Sequence, residues 1–201
     1  MNIRKIITIF LVLFFLLTIE GFGQDKPGGK FKSGSEPEGF RGIKWGTHIS
    51  ALSDMKCVQH NMKYDEHESK GSCDFYYKIE DKLKLGDANL TSIKYGFNEK
   101  GDFEFIEIEM EGKDNFNRIM NTFFGIFGPV NPIDQSYHYV WRGSKTIILV
   151  TYYDYTYDKN TTVSMWSSKS EAERERKEQE KEKRKLKEAQ DKLKEAQKEF
   201  K

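Results

Sequence analysis

All ten Tyr and all three Trp of the 201 residues lie between Gly39 and Lys169. That stretch holds 52 apolar or aromatic residues in 131, so it alone can bury a core, and its size suits a single domain. The flanks differ from it and from each other. Residues 1–23 place Arg4 and Lys5 ahead of a fourteen-residue apolar run, Ile6 to Ile19, followed by Glu20, Gly21, Phe22 and Gly23. This predicts a cleavable export signal cut after Gly23, because crossing a ~30 Å hydrocarbon layer takes about 20 apolar residues. Residues 24–38 mix Gly, Pro, Ser and Lys around a single apolar residue, Phe31, which predicts a flexible leader. The globular domain is expected over 39–169. From 170 to 201 only Ala172, Leu186, Ala189, Leu193, Ala196 and Phe200 are apolar, among twelve basic and ten acidic residues. That tail has no core of its own.

Charge narrows the function classes. The whole chain carries 33 basic and 32 acidic residues, and without residues 1–23 it carries 31 of each. Binding nucleic acid or an acidic membrane as a main task needs a cationic surplus to replace released counterions, so neither is expected. No Cys stands at the cleavage point, which argues against lipid modification. The expected product is soluble and secreted, with a periplasmic address and no stable membrane span after cleavage.

Within 39–169 the periodicities predict an α+β fold. Phe116, Ile119, Met120, Phe123, Phe124 and Phe127 keep helical spacing after Asp114 or Asn115, and Gly128 and Pro129 stop the helix. A shorter helix is expected from Thr47, carrying Ile49, Ala51, Leu52 and Met55. Strands are expected near 73–79, 90–97, 103–110, 137–142, 146–153 and 161–166. The apolar phase slips between Phe105 and Ile106, as a bulge would make it do. Local pairing without βαβ alternation predicts an antiparallel sheet of about six strands, two helices on one face, and the charged C-terminal helix beyond it.

The run Gly39-Phe40-Arg41-Gly42-Ile43-Lys44-Trp45-Gly46-Thr47, with Leu85-Gly86-Asp87-Ala88 and Ile93-Lys94-Tyr95-Gly96-Phe97, resembles a domain of uncharacterised secreted bacterial proteins. The resemblance covers roughly Phe40 to Trp166 and rests on an FRGIxWGT motif. It implies secretion and brings no activity. In physical terms, Gly42 and Gly46 allow tight turns around Trp45, which either plugs one end of the core or forms a binding wall.

Cys57 and Cys73 are the two cysteines, and an oxidising compartment favours a disulfide that closes the fifteen residues between them. The alternative takes Cys57, His60, His67 and Cys73 as zinc ligands, although their spacing fits no common finger. Unpaired thiols are the third reading. His48, Ser50 and Asp54 lack a framing G-x-S-x-G turn and read as a helix start. The acidic row Glu104, Glu107, Glu109 and Glu111 reads as the wet face of a strand before it reads as an acid and base. Asp154, Asp158 and Asn160 lack the spacing of a calcium loop. No motif calls for a cofactor. Period two sends some of the late tyrosines outward, so Tyr152, Tyr155 and Tyr157 join Trp45 as candidate binding residues for a protein or small ligand.

In the tail, Ser170 with Glu173 spells a capping box, and Glu173–Lys177, Glu180–Arg184 and Glu188–Lys192 are favourable pairs. Leu186, Ala189, Leu193, Ala196 and Phe200 share one seam, but two heptads fall short of a sustained coiled coil. A solvated single helix is expected, with weak self-association as the alternative. The leading functional expectation is a non-enzymatic binding or interaction module. The alternatives are an enzyme of unrecognised type and a structural envelope component.

Overall fold

A computed structural model describes residues 27–59, 74–133, 137–155 and 158–199. Twelve strands are found there: β1 (Gly29–Lys30), β2 (Gly39–Phe40), β3 (Ile43–Lys44), β4 (Met55–Gln59), β5 (Asp74–Lys78), β6 (Lys84–Leu85), β7 (Ala88–Asn89), β8 (Ser92–Phe97), β9 (Phe103–Glu111), β10 (His138–Arg142), β11 (Thr146–Tyr155) and β12 (Asp158–Ser167). Helix α1 (Lys113–Phe127) lies between β9 and β10, and helix α2 (Ser168–Glu199) continues directly from β12. The main sheet has eight strands in the order β1-β10-β11-β12-β9-β8-β5-β4, while β2 with β3 and β6 with β7 form small separate pairs.

The fold is α+β in outline, with four corrections to the sequence-based expectation. The sheet has eight strands instead of six and is mixed, because β1 runs parallel to β10 through Gly29↔Trp141 and Lys30↔Arg142. The segment from Thr47 is no α-helix. It makes one 3-10 turn, Ile49–Ala51, whose start is capped by the His48 side chain, and Met55 then opens β4. Helix-like spacing at Ile49, Leu52 and Met55 is overridden there by ladder pairing of Met55, Lys56 and Cys57 with β5. Of the two helices expected on one face, only α1 packs on the sheet among the described residues. Finally, from Pro27 onward the expected flexible leader is docked: it supplies β1, and Lys32 N–H donates to Phe127 O at 2.6 Å.

The bulge is where the polar and apolar phases collide. Gly96 faces Phe105 while Phe97 faces Phe103, so Glu104 is the extra residue and both Phe103 and Ile106 turn inward. The core lies between that inward face and α1. Phe116, Ile119, Met120, Phe123 and Phe127 of the helix share one buried cluster with Tyr95, Ile106, Ile108, Val150, Val163 and Trp141. Trp141 is fully buried and its indole N–H donates to Gly128 O at 2.8 Å, so burying it leaves no orphan donor. Helix α1 starts after Gly112, two or three residues earlier than Asp114 or Asn115 predicted, and without a side-chain cap.

Candidate functional site: the Trp45 groove

The glycine-rich motif builds a clasp before it builds a site. Phe40 pairs with Ile43 across a two-residue turn in which Arg41 has φ 48° and Gly42 φ 83°. Positive φ at both central residues is the hairpin turn whose twist matches the flanking strands, and Gly suits its second position. Phe40 and Ile43 are buried by it. The strained Arg41 is held by an ion pair to Asp81 and a 2.8 Å hydrogen bond to Lys84 O. Asp81 also accepts the Tyr95 hydroxyl at 2.6 Å. Burial first, and then the Asp81 carboxylate, push the Tyr95 phenol above its ordinary range, so it stays a neutral donor.

Two residues after the clasp, Trp45 stacks on Phe103 with ring centroids 4.9 Å apart, and its indole N–H donates to Thr146 Oγ1 at 2.6 Å. That hydroxyl donates in turn to Pro37 O at 2.6 Å. Trp45 is half-buried, so it both plugs this end of the core and floors an open groove of about 400 Å³ lined by Glu38, Lys44, Ser144, Lys145, Ser167 and Lys169. The β10–β11 turn that carries Ser144 and Lys145 is braced from the leader. Glu36 accepts the Lys145 and Thr146 N–H groups, the latter at 2.9 Å, and the Ser144 hydroxyl at 3.3 Å. The root of α2 docks on the same turn: Ser168 N–H donates to Lys145 O at 3.0 Å and Ser168 Oγ to Gly143 O at 2.9 Å. Helix α2 therefore begins at Ser168, upstream of the Ser170 capping box expected from sequence.

The groove's charges are unequal. Glu38 pairs with Lys145 and lies 4.0 Å from Lys44. The Lys145 hydrogen bond and charge, then Lys44, hold the Glu38 carboxyl below its ordinary value, and the same bond raises Lys145. Among the described residues Lys169 has no such partner. Three ammonium groups thus line the groove with the Glu38 carboxylate, and the Glu36 carboxylate behind the turn also acts on Lys145.

The other sequence-predicted positions do not converge on this groove. Tyr152 is 2 % exposed, stacked on Phe116 at 4.7 Å, and offers no surface to a ligand; its neighbour Tyr153 is the one that points out. Tyr155 ends β11, but its side chain and all of Tyr157 lie outside the described residues. Cys57 is half-buried on β4 opposite Tyr76, whereas Cys73, His60 and His67 lie outside the described residues. Among the described residues no group of three His, Cys, Asp or Glu side chains is placed to hold a metal. His48 Nδ1 lies 2.7 Å from Ser50 Oγ and accepts Ser50 N–H, so it serves as a cap, and Asp54 pairs with Lys78 at 3.2 Å instead of orienting it.

The acidic strand is neutralised in place. Lys94 reaches Glu107 at 2.8 Å and Glu109 at 3.1 Å, and Ser92 donates to Glu109 at 2.6 Å. Burial works to lower the Lys94 ammonium, but the two glutamates outweigh it and hold it above its ordinary value. Burial likewise works to raise Glu109, and Ser92 and Lys94 outweigh it, leaving the carboxyl low. Both partners stay charged, which suits a cross-strand ion network and not proton transfer near neutrality. Comparisons with protein-family models, curated proteins and solved structures found no match to this chain.

Proposed function

We propose that this protein is an extracytoplasmic, non-enzymatic binding module that uses the Trp45 groove as its recognising surface. The observation that carries the reading is the pairing of an indole already anchored from below with three lysines from three separate segments, around one open depression. A plug alone needs no such rim. The export signal over residues 1–23, the Cys57–Cys73 bridge and the resemblance carried by Phe40 to Thr47 belong to the same proposal and support the compartment. Among the described residues no helix is long and apolar enough to cross a membrane.

The test places a photo-crosslinking side chain at Lys169, in the groove, or at Asn121, on the outward face of α1, in the full chain exported by its host. A product formed only from position 169, with the captured ligand chemically unchanged, is the expected result. Equal products from both positions, or a ligand recovered as a reaction product, defeats the proposal. Amino-terminal sequencing of the exported protein should begin at Gln24.

A further inference from the structure

Building on that reading of the groove, we infer that its ligand is an acidic polysaccharide, a chain of uronate-type sugars laid across Trp45 with its carboxylates on Lys44 and Lys169. Three features of the groove select this class. It is an open depression and not an enclosed cavity, so it suits one segment of a longer chain better than a small molecule that must be mostly enveloped. Its lining includes the half-buried indole of Trp45, whose flat apolar ring matches the C–H face of a sugar ring.

The third feature is a carboxylate already in residence. Glu38 sits on Lys145 and within 4.0 Å of Lys44, which shows that the lysines of this rim can hold a carboxylate. Lys44 keeps four-fifths of its side chain in solvent, so it can turn to a second anion. Lys169 brings a further cation. Glu38 is then both a demonstration of the chemistry and a competitor with the ligand. Glu36, spent on backbone N–H groups of the β10–β11 turn, sets that turn without occupying the floor. An acidic peptide shares the charge but brings no apolar ring face, so charge alone does not account for Trp45.

The experiment is isothermal titration of the full mature chain with polygalacturonate, with its methyl-esterified form, and with poly-glutamate at equal charge concentration. Polygalacturonate should bind, and esterification, which keeps the sugar and removes the charge, should weaken it by at least about tenfold. The double variant Lys44→Ala with Lys169→Ala should lose a similar factor, and Glu38→Gln should gain a few-fold, since it releases Lys145. All three positions are exposed, so these variants should keep their fold, checked by circular dichroism. Poly-glutamate binding as tightly as polygalacturonate, through the same lysines, would overturn the sugar assignment and leave an anion groove. Unchanged polygalacturonate binding in the double variant would remove the groove itself. Binding of neither polymer would overturn this inference while the crosslinking result at Lys169 still judged the broader one.

Discussion

The sheet body and helix α2 reach order by opposite routes. The body buries Trp141 against α1 and Tyr95, Phe97 and Phe103 against one another, Phe40 and Trp45, so its stability comes from contacts between residues far apart in the chain. Helix α2 is 32 residues long and about 48 Å from end to end, yet its side chains are mostly exposed and its pairs are local: Glu173 with Lys177 at 3.8 Å, Glu180 with Arg176 at 4.0 Å, Glu188 with Arg184 at 4.0 Å. One half of the protein should therefore be sensitive to single substitutions and the other nearly indifferent. The groove lies where the two meet, which gives it a rigid floor from the body and one rim residue, Lys169, from the helix root.

The sharpest break of that contrast is in the body. Phe123→Ala removes a ring 3 % exposed that meets Phe127 at 5.1 Å and Trp141 at 5.9 Å. It should cost about 3–5 kcal/mol, read as a fall in the urea midpoint without a change in slope. A loss under about 1 kcal/mol would mean the aromatic layer repacks freely and the body is not the cooperative unit. Next comes the proposed Cys57–Cys73 bridge, worth about 3 kcal/mol for a loop of this length. Mass spectrometry without reductant should find the linked peptides, and reduction should lower the midpoint accordingly; two unmodified thiols in the exported protein would refute the pairing.

How far these elements were readable follows from what each one exposes to inspection. The six strands expected near 73–79, 90–97, 103–110, 137–142, 146–153 and 161–166 all have counterparts, because runs such as Ile93, Tyr95 and Phe97 alternate and Ile147 to Val150 is apolar throughout. A bulge in β9 was readable because burying both Phe103 and Ile106 on one face requires an extra residue, although that residue is Glu104 and the apolar pattern put the slip between Phe105 and Ile106. Strand β4 was hidden because Ile49, Leu52 and Met55 keep a spacing that a helix would also use. Strand β1 was hidden more deeply, since Gly29 and Lys30 contribute backbone to the sheet edge and almost no side-chain pattern. Of the groove only Trp45 stood out. Lys44, Lys145 and Lys169 come from distant segments in a chain that is 32 % charged, and no local spacing marks three lysines that only the fold collects.

The clasp gives a smaller effect that still belongs to the body. Arg41→Met leaves Asp81 without its cation and should cost about 2 kcal/mol, below the range for a fully buried pair because both side chains keep some solvent. The neighbouring Tyr95 adds a pH signature. Its folded phenol is held above the ordinary value near 10, so in alkali the unfolded chain loses that proton first. Stability from this group is complete below pH 10 and declines as pH rises further. Tyr95→Phe should flatten that part of the profile between about pH 9 and 11 relative to the parent. An unchanged slope would place the phenol in contact with water.

The smallest effect should come from the tail, and it tests the contrast from the other side. Arg142 holds Glu171 at 3.1 Å close to the body, whereas Arg184 with Glu188 and Asp191 with Lys194 pair within the helix itself. Truncation after Lys177 should thus leave the urea midpoint of the body within about 0.5 kcal/mol of the parent while removing most of the helical signal that α2 contributes. In the full chain that signal should weaken in concentrated salt, because i, i+4 pairs are worth only a few tenths of a kcal/mol each and are screened. Leu186 is 61 % exposed, so a second copy covering it is one route by which the tail could stabilise the body. Urea titrations at several protein concentrations decide between these: a midpoint independent of protein concentration and of truncation makes α2 a solvated spacer, and a concentration-dependent midpoint whose dependence is lost on truncation makes it a weak coiled-coil handle.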